Sequence, residues 1–416
     1  MSKMSNKLKG KLIVQKYGGS SVADLKKIKK VAKKVVSYTN KGNRVVVVIS
    51  AMGNTTDKLV GWAKEINPNP SDREMDMLMS TGEQQSCSLL AMAIHKRGEN
   101  AISFTGSQVG IITDTYHTQA KILKIETKRI KEELNRGNIV IVAGFQGLTK
   151  TSEITTLGRG GSDLSAVALA VSLKADLCEI YTDVEGIYTA DPRVVSEAKK
   201  LNNVTFDEML ELASLGAQVM HTRAIEVAKK FNIPIHVRGS FTEKEGTIIM
   251  QNSSYIEKPV VRGVTLTSDE AKLTLCDVPD KPGIAANLFK ELASKNINVD
   301  MIVQNVSHKR TTDISFTVPK KNLSKALKIS KGISKSVRAG EVISDETIAK
   351  VSIVGVGMKS HSGVAARCFS ILAKNKINID MISTSEISIS CVVNKAAGKK
   401  ALKVLHKGFK LDKIKV

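Results

Sequence analysis

Over the first 250 or so residues, short apolar runs alternate with longer amphipathic stretches. The runs at 12–16, 45–50, 101–104, 139–143, 178–182 and 235–237 are rich in β-branched residues and apolar on both faces. Strands of that kind belong to a parallel sheet covered on both sides, because neither face meets water. The stretches at 23–37, 73–95, 118–135, 162–173 and 217–231 place apolar residues three and four apart, which predicts helices. Strand and helix in alternation predict an α/β sandwich.

The pattern changes after residue 250. Positions 251–264 are largely polar, contain Pro259, and read as a linker that closes a first domain at 1–250. Beyond the linker the sequence repeats itself. Gly283-Ile284-Ala285-Ala286, Phe289, Leu292-Ala293 and Ile297-Asn298-Val299-Asp300-Met301-Ile302 return about 80 residues later as Gly363-Val364-Ala365-Ala366, Phe369, Leu372-Ala373 and Ile377-Asn378-Ile379-Asp380-Met381-Ile382. The repeat predicts two units of one design, at 265–344 and 345–416. Each reads strand, glycine turn, helix, Asn-containing turn, strand. A glycine just before a helix start leaves unpaired N–H groups for a carboxylate.

Composition removes several function classes. No apolar run approaches the roughly 20 residues that span a bilayer. The basic N-terminus lacks an apolar signal region, so neither a secretory signal nor a membrane partner is expected. Five cysteines stand far apart with no C-x-x-C pair, which favours a reducing cytoplasm over a disulfide framework or zinc site. The net charge of +23 raises nucleic-acid binding as a reading. Lysines are scattered along the chain and aromatics make up only 4%, so stacking platforms are missing and no nucleic-acid partner is expected.

No Walker A sequence, G-x-G-x-x-G fingerprint, G-x-S-x-G or H-E-x-x-H is present. Three glycine-rich stations stand at strand ends instead. Lys16-Tyr17-Gly18-Gly19-Ser20 could cradle phosphate, with glycine amides approaching and an ammonium neutralising charge; a plain tight turn is the other reading. Ser50-Ala51-Met52-Gly53 leads to Thr55-Thr56-Asp57. Gly158-Arg159-Gly160-Gly161-Ser162-Asp163 opens a helix with a cation, a hydroxyl and a carboxylate, a combination that packing does not require.

Together these residues resemble the aspartate kinases of the amino-acid kinase superfamily. The resemblance runs through Lys16-Tyr17-Gly18-Gly19-Ser20, Thr81-Gly82-Glu83, Phe104-Thr105-Gly106, Gly144-Phe145, Thr156-Leu157-Gly158-Arg159-Gly160-Gly161-Ser162-Asp163 and Tyr181-Thr182-Asp183-Val184-Glu185-Gly186-Ile187-Tyr188-Thr189-Ala190-Asp191-Pro192-Arg193. The repeat is similar to that family's tandem ACT domains. The resemblance covers essentially the whole chain. It implies a three-layer kinase sandwich followed by two ferredoxin-like (βαββαβ) ACT domains. It also implies a reaction: ATP, with Mg²⁺, phosphorylates the side-chain carboxylate of L-aspartate to 4-phospho-L-aspartate, the first step toward lysine, threonine and methionine.

The resemblance further implies roles for individual residues. Lys16 would contact the transferring phosphoryl group, with Asp163 organising Lys16, metal or substrate. Tyr17, Gly18, Gly19, Ser162, Thr182, Asp183, Tyr188, Asp191, Pro192, Arg193 and Gln218 would meet ATP. Ser50, Thr56, Glu83, Arg159, Gly160, Gly161 and Ser162 would meet aspartate, Arg159 through a carboxylate and Glu83 through the ammonium. Lysine or threonine would act at Asp280, Ala285, Asn298, Asp300, Met301 and Gln304 in the first ACT unit and at Ser360, Val364, Ala365, Asp380 and Ser385 in the second. Homo-oligomers would form through the ACT units, and an internal start near Met250 could yield a shorter regulatory chain. No second catalytic domain is expected after the repeat.

The chain departs from the family pattern at Gln218, where a lysine is frequent, at Thr222, where a proline is, and at Ser362, the counterpart of Pro282. Two other readings compete: a related small-acid kinase, such as one acting on N-acetylglutamate, and a catalytically silent amino-acid sensor. Glu83 argues against an acetylated amine, and intact Lys16, Arg159 and Asp163 argue against silence.

Overall fold

The computed structural model describes residues 10–217, 219–251, 260–306, 311–356, 358 and 361–414. Its largest sheet has eight strands, in the order Asn203–Thr205, Thr247–Met250, Ile235–Gly239, Leu177–Thr182, Leu12–Tyr17, Arg44–Ile49, Ile139–Ala143 and Ala101–Phe104. Neighbours run parallel except Ile235–Gly239 against Thr247–Met250. Strand alternation divides the core. Val45, Val47 and Ile49 pack with Ile28, Val31, Leu90 and Ile94 of helices Leu25–Thr39 and Thr81–His95. Val46 and Val48 face the opposite way, toward Ala166, Val167, Ala170 and helix Gly161–Leu173. That helix is apolar or small almost all round because it is enclosed between the sheet and helix Thr222–Phe231.

Three expected helices differ in the structure. Positions 118–135 divide into strand Ile122–Ile125 and helix Lys128–Asn135. The strand joins a separate four-stranded sheet with Ile111–Thr113, Gln146–Thr149 and Ile154–Thr156. Positions 73–95 form two helices, Asp72–Met79 and Thr81–His95, meeting at Ser80, whose carbonyl accepts from Gln146 Nε2 at 2.8 Å. The stretch from 217 becomes helical only at Thr222.

The repeat in sequence is a repeat in backbone. Gly283 and Gly363 hold φ of 95° and 92°, and Asn296 and Lys376 hold φ of 54° and 57°. Each unit is a four-stranded antiparallel sheet with two helices. The first orders its strands Ile302–Val306, Thr311–Pro319, Glu270–Pro279, Val342–Asp345. The second orders Gly263–Thr267, Ile348–Val354, Ser388–Asn394, Met381–Thr384. The βαββαβ order is therefore continuous only in the first unit. In the second, the fourth strand is Gly263–Thr267, which precedes the first unit in the chain. Met301 and Met381, equivalent positions of the repeat, pack together between the units with Ile348 and Val392.

Candidate active site

The three glycine-rich stations come together at the carboxyl ends of central strands of the large sheet. Lys16 is the penultimate residue of strand Leu12–Tyr17, Ser50 follows the neighbouring strand Arg44–Ile49, and Gly158–Gly160 precede helix Gly161–Leu173. Ligands of open α/β sheets bind outside the carboxyl ends of such strands. Here a cleft of about 630 Å³ is lined by Lys16, Gly19, Ser50, Thr56, Glu83, Arg159, Gly160, Gly161, Ser162 and Asp163.

Lys16 Nζ pairs with Asp163 Oδ1 at 2.7 Å, and only 12% and 10% of these side chains are exposed. The other Asp163 oxygen accepts from the amide of His221 at 3.4 Å. The His221 ring packs under the turn: a Cβ on Gly160, whose φ is 71°, would lie 2.3 Å from the His221 Cβ. Glycine is required there on both counts. Gly19 is equally confined, since a Cβ would stand 3.0 Å from the carbonyls of Ala51 and Gly53. The N-terminus of helix Gly161–Leu173 is at the cleft, and its dipole favours bound anions.

Glu83 is 3% exposed. Its Oε1 accepts from the Ala51 amide at 3.1 Å, while Oε2 is buried without a hydrogen-bond partner among the described residues. Burial pushes its carboxyl up to about 7, opposed by hydrogen bonding from Ala51. A buried orphan oxygen at the wall of a polar cleft suits an incoming cation, which would stabilise the ionised form. Arg159, by contrast, is exposed at the cleft, as a residue waiting for an anionic partner would be.

A second pocket of about 500 Å³ contains Thr182, Asp183, Tyr188, Asp191, Pro192 and Arg193. It adjoins the first through strand pairing, because Leu177–Thr182 is hydrogen-bonded to Leu12–Tyr17 and Gly18 donates its amide to Tyr181 at 3.3 Å. Arg193 binds both carboxylate oxygens of Asp191, at 3.0 Å through Nε and 2.9 Å through Nη2. That hydrogen bonding holds Asp191 below the usual carboxylate range. Val264, Thr265, Leu266 and Leu402 also line this pocket, so the second repeat unit forms part of its wall.

Tyr17 does not reach either pocket with its side chain. It is fully buried on the opposite face from Lys16 and stacks on Tyr181 with ring centroids 4.6 Å apart. Successive strand residues point to opposite faces, so only its backbone remains near the site. Gln218 and Ser360 lie outside the described residues.

Among the proposed effector residues, Asp280, Asn298, Asp300, Gln304, Asp380 and Ser385 are exposed, while Ala285, Val364 and Ala365 are partly buried. Met301 is core, 4% exposed. Asp300 pairs with Lys350 of the other unit. Ser385 contacts Glu211 of helix Phe206–Ser214, in the first domain, at 3.2 Å.

Sequence reasoning missed the wall residues Met79 and Thr118, and gave no individual role to Asp57, Phe145 and Gly158, which stood within its motifs. Phe145 follows Gly144 at the end of a strand and holds a left-handed φ of 69°, which its sequence does not announce. Thr118 carried no signal, because its segment reads as helix.

Comparisons agree with this architecture. The amino acid kinase family matches residues 11–239, and the ACT domain matches 277–330 and 351–409. The chain is 51% identical over 402 residues to the aspartate kinase of Stutzerimonas stutzeri, covering 96% of this chain and 98% of that one. E. coli aspartokinase III in complex with aspartate and ADP (R-state) superposes with a TM-score of 0.81 at 27% identity, covering 95% of this chain and 99% of that one. The same enzyme in complex with lysine and aspartate (T-state) gives 0.77 at 27% identity, covering 96% and 99%.

Proposed function

The chain belongs to the aspartate kinases of the amino acid kinase family, and we propose that the two adjoining pockets divide their reaction between aspartate and ATP. The observation that carries this reading is the Lys16–Asp163 pair sharing one cleft with the orphaned Glu83 carboxylate. Aspartate would lie with its ammonium on Glu83 and its α-carboxylate on Arg159, whose planar fork suits two carboxylate oxygens. Its side-chain carboxylate then faces Lys16. ATP would place its nucleoside between Thr182 and Arg193 and its phosphates over Gly18, Gly19 and the start of helix Gly161–Leu173. The aspartate and ADP bound by E. coli aspartokinase III support both ligands.

The aspartate side chain is already ionised at neutral pH and needs no general base. Its oxygen forms a bond to the γ-phosphorus as the bond from that phosphorus to the β–γ bridging oxygen breaks, leaving ADP and an acyl phosphate. Such transfer depends on alignment and charge neutralisation. Lys16 supplies a positive charge at the transferring group, and Asp163 fixes the position of that ammonium. The hard oxygen donors Ser162 and Asp163 fit a magnesium that keeps most of its ligands from phosphate and water. Magnesium bound with ATP would neutralise charge on the phosphates.

The C-terminal units would carry feedback. Lysine bound by E. coli aspartokinase III in its T-state supports lysine as one effector, with threonine the other candidate and oligomerisation through the ACT sheets. An effector inhibits only if it binds the less active arrangement better. The test is hydroxamate trapping of the acyl phosphate with L-aspartate or N-acetylglutamate as acceptor, repeated with lysine and threonine singly and together. Product from aspartate alone, suppressed by an effector, is expected. Product from N-acetylglutamate instead would reassign the substrate, and indifference to both amino acids would remove the regulatory reading.

A further inference from the structure

Asp76 lies on helix Asp72–Met79, behind the wall of the aspartate cleft, and is completely buried. A carboxylate in that position is costly unless its oxygens are satisfied by well-placed donors. Both are. Oδ1 accepts from Thr156 Oγ1 at 2.5 Å, Oδ2 accepts from His117 Nδ1 at 2.7 Å, and the Thr118 amide reaches both at 3.0 Å.

These donors come from the two segments that frame the outer side of the cleft. Thr118 lines the cleft in a left-handed conformation, φ 64°. A β-branched residue rarely adopts that backbone, and it persists where surrounding contacts over-determine it. The Thr118 carbonyl lies 3.0 Å from where a Cβ of Gly158 would stand, so this strained residue packs directly on the turn that carries Arg159. Thr156 leads into the same turn. On the far side, Arg223 donates to the carbonyls of Leu157 at 2.7 Å and Ala120 at 2.9 Å, clamping the same two segments.

The structure assigns to Asp76 the role of a positioning residue for aspartate: its carboxylate holds Thr118 in the left-handed conformation and thereby sets the place of the Gly158–Arg159 turn. This rests on the reading of Arg159 as the partner of the substrate α-carboxylate. Asp76 touches no reacting atom. Its loss therefore acts on aspartate binding and leaves the nucleotide pocket, built on Thr182–Arg193, alone.

The experiment is steady-state kinetics of Asp76→Asn, in which the amide NH₂ can no longer accept. The KM for aspartate is expected to rise on the order of tenfold or more, as misplacing a binding group does, while the KM for ATP stays within about twofold, as expected for a site held by separate contacts. Adding Thr118→Gly to Asp76→Asn should recover much of that loss, because glycine takes positive φ without help. A merely structural carboxylate would not produce this rescue. If Asp76→Asn does not fold, His117→Ala removes one donor from a partly buried position and should raise the aspartate KM by about threefold. Equal rises in both KM values, or a second substitution that rescues nothing, would overturn the proposal. Arg159→Ala separates it from the underlying reading: an unchanged aspartate KM in that variant would mean that Arg159 is not the carboxylate partner.

Discussion

Thr189 shares a 2.9 Å hydrogen bond with His406, joining the segment that enters the second pocket to the last helix of the second ACT unit. The Thr189 carbonyl also accepts from Val264, on the strand that closes that unit's sheet, at 2.8 Å. Two residues later the same segment presents Asp191 to the pocket. The regulatory sheet and the proposed nucleotide pocket thus share a backbone.

Thr189→Val should loosen that joint. The substitution keeps the shape but leaves the Lys199 amide, 2.9 Å from the Thr189 hydroxyl, and the His406 ring without their partner. Buried polar groups left unpaired cost about 1–3 kcal/mol. Denaturant unfolding should report a loss of that size, and the KM for ATP should rise about 2–5-fold through the linked segment.

Acid should weaken the same joint. Burial holds His406 below the ordinary imidazole range, although Asp412 and Glu197 pull the other way. A histidine kept neutral by folding contributes stability that is present above its unfolded pKa, near 6.5, and is lost as pH falls through the lower folded value. The melting temperature of the native chain should therefore drop more steeply below about pH 6 than that of His406→Gln. Parallel pH profiles would contradict this.

Glu83 sets a different pH dependence. With its carboxyl at about 7 in the free site, acidification protonates the group proposed to hold the substrate ammonium. The kcat/KM for aspartate should fall as pH drops below 7, and Glu83→Gln should be slow and flat across the same range. The stability sign is opposite: a carboxyl raised on folding stabilises at low pH, and that contribution is lost as pH rises through about 7. Glu83→Gln should accordingly be more stable than the native chain at pH 8, by roughly 1–3 kcal/mol.

Lys350 is 1% exposed and joins the two ACT units through Glu270, at 2.8 Å, and Asp300. Burial opposes its charge, but the two carboxylates outweigh burial and raise its pKa. Lys350→Met should cost about 1–3 kcal/mol, less than a fully buried pair because Asp300 is half exposed. Since Asp300 is also a proposed effector contact, the half-inhibitory concentration of lysine should move at least about threefold, the lower range of allosteric coupling. An unchanged value would separate Asp300 from effector binding.

Much of the fold was legible because its central strands are buried on both faces. Val45 to Ile49 cannot be solvated on either side, and its helices cover it accordingly. The smaller sheet was not legible: Ile122-Leu123-Lys124-Ile125 is half exposed and as short as one helical turn, so periodicity alone does not distinguish it. Nor could local pattern reveal that Gly263–Thr267 pairs with Ile348–Val354, a contact made across an entire intervening unit. At the site, charged and glycine residues whose presence packing does not explain, such as Lys16, Arg159 and Asp163, pointed to the cleft. The Tyr17 side chain points away from the cleft, because successive strand residues face opposite ways, and only its backbone stays near the site. Asp76 and Thr118 stayed hidden because their roles come from backbone geometry, which composition does not encode.

The most direct test of the account is aspartate-dependent acyl phosphate formation by Lys16→Ala, measured as hydroxamate beside ATP binding by calorimetry. Loss of a preorganised charge at the transferring group should cut turnover roughly 10²–10³-fold or more, while the folded variant still binds ATP through the Thr182–Arg193 pocket. Turnover within a few-fold of the native chain would contradict the placement of the phosphoryl group at Lys16, and with it the proposed division of the two pockets.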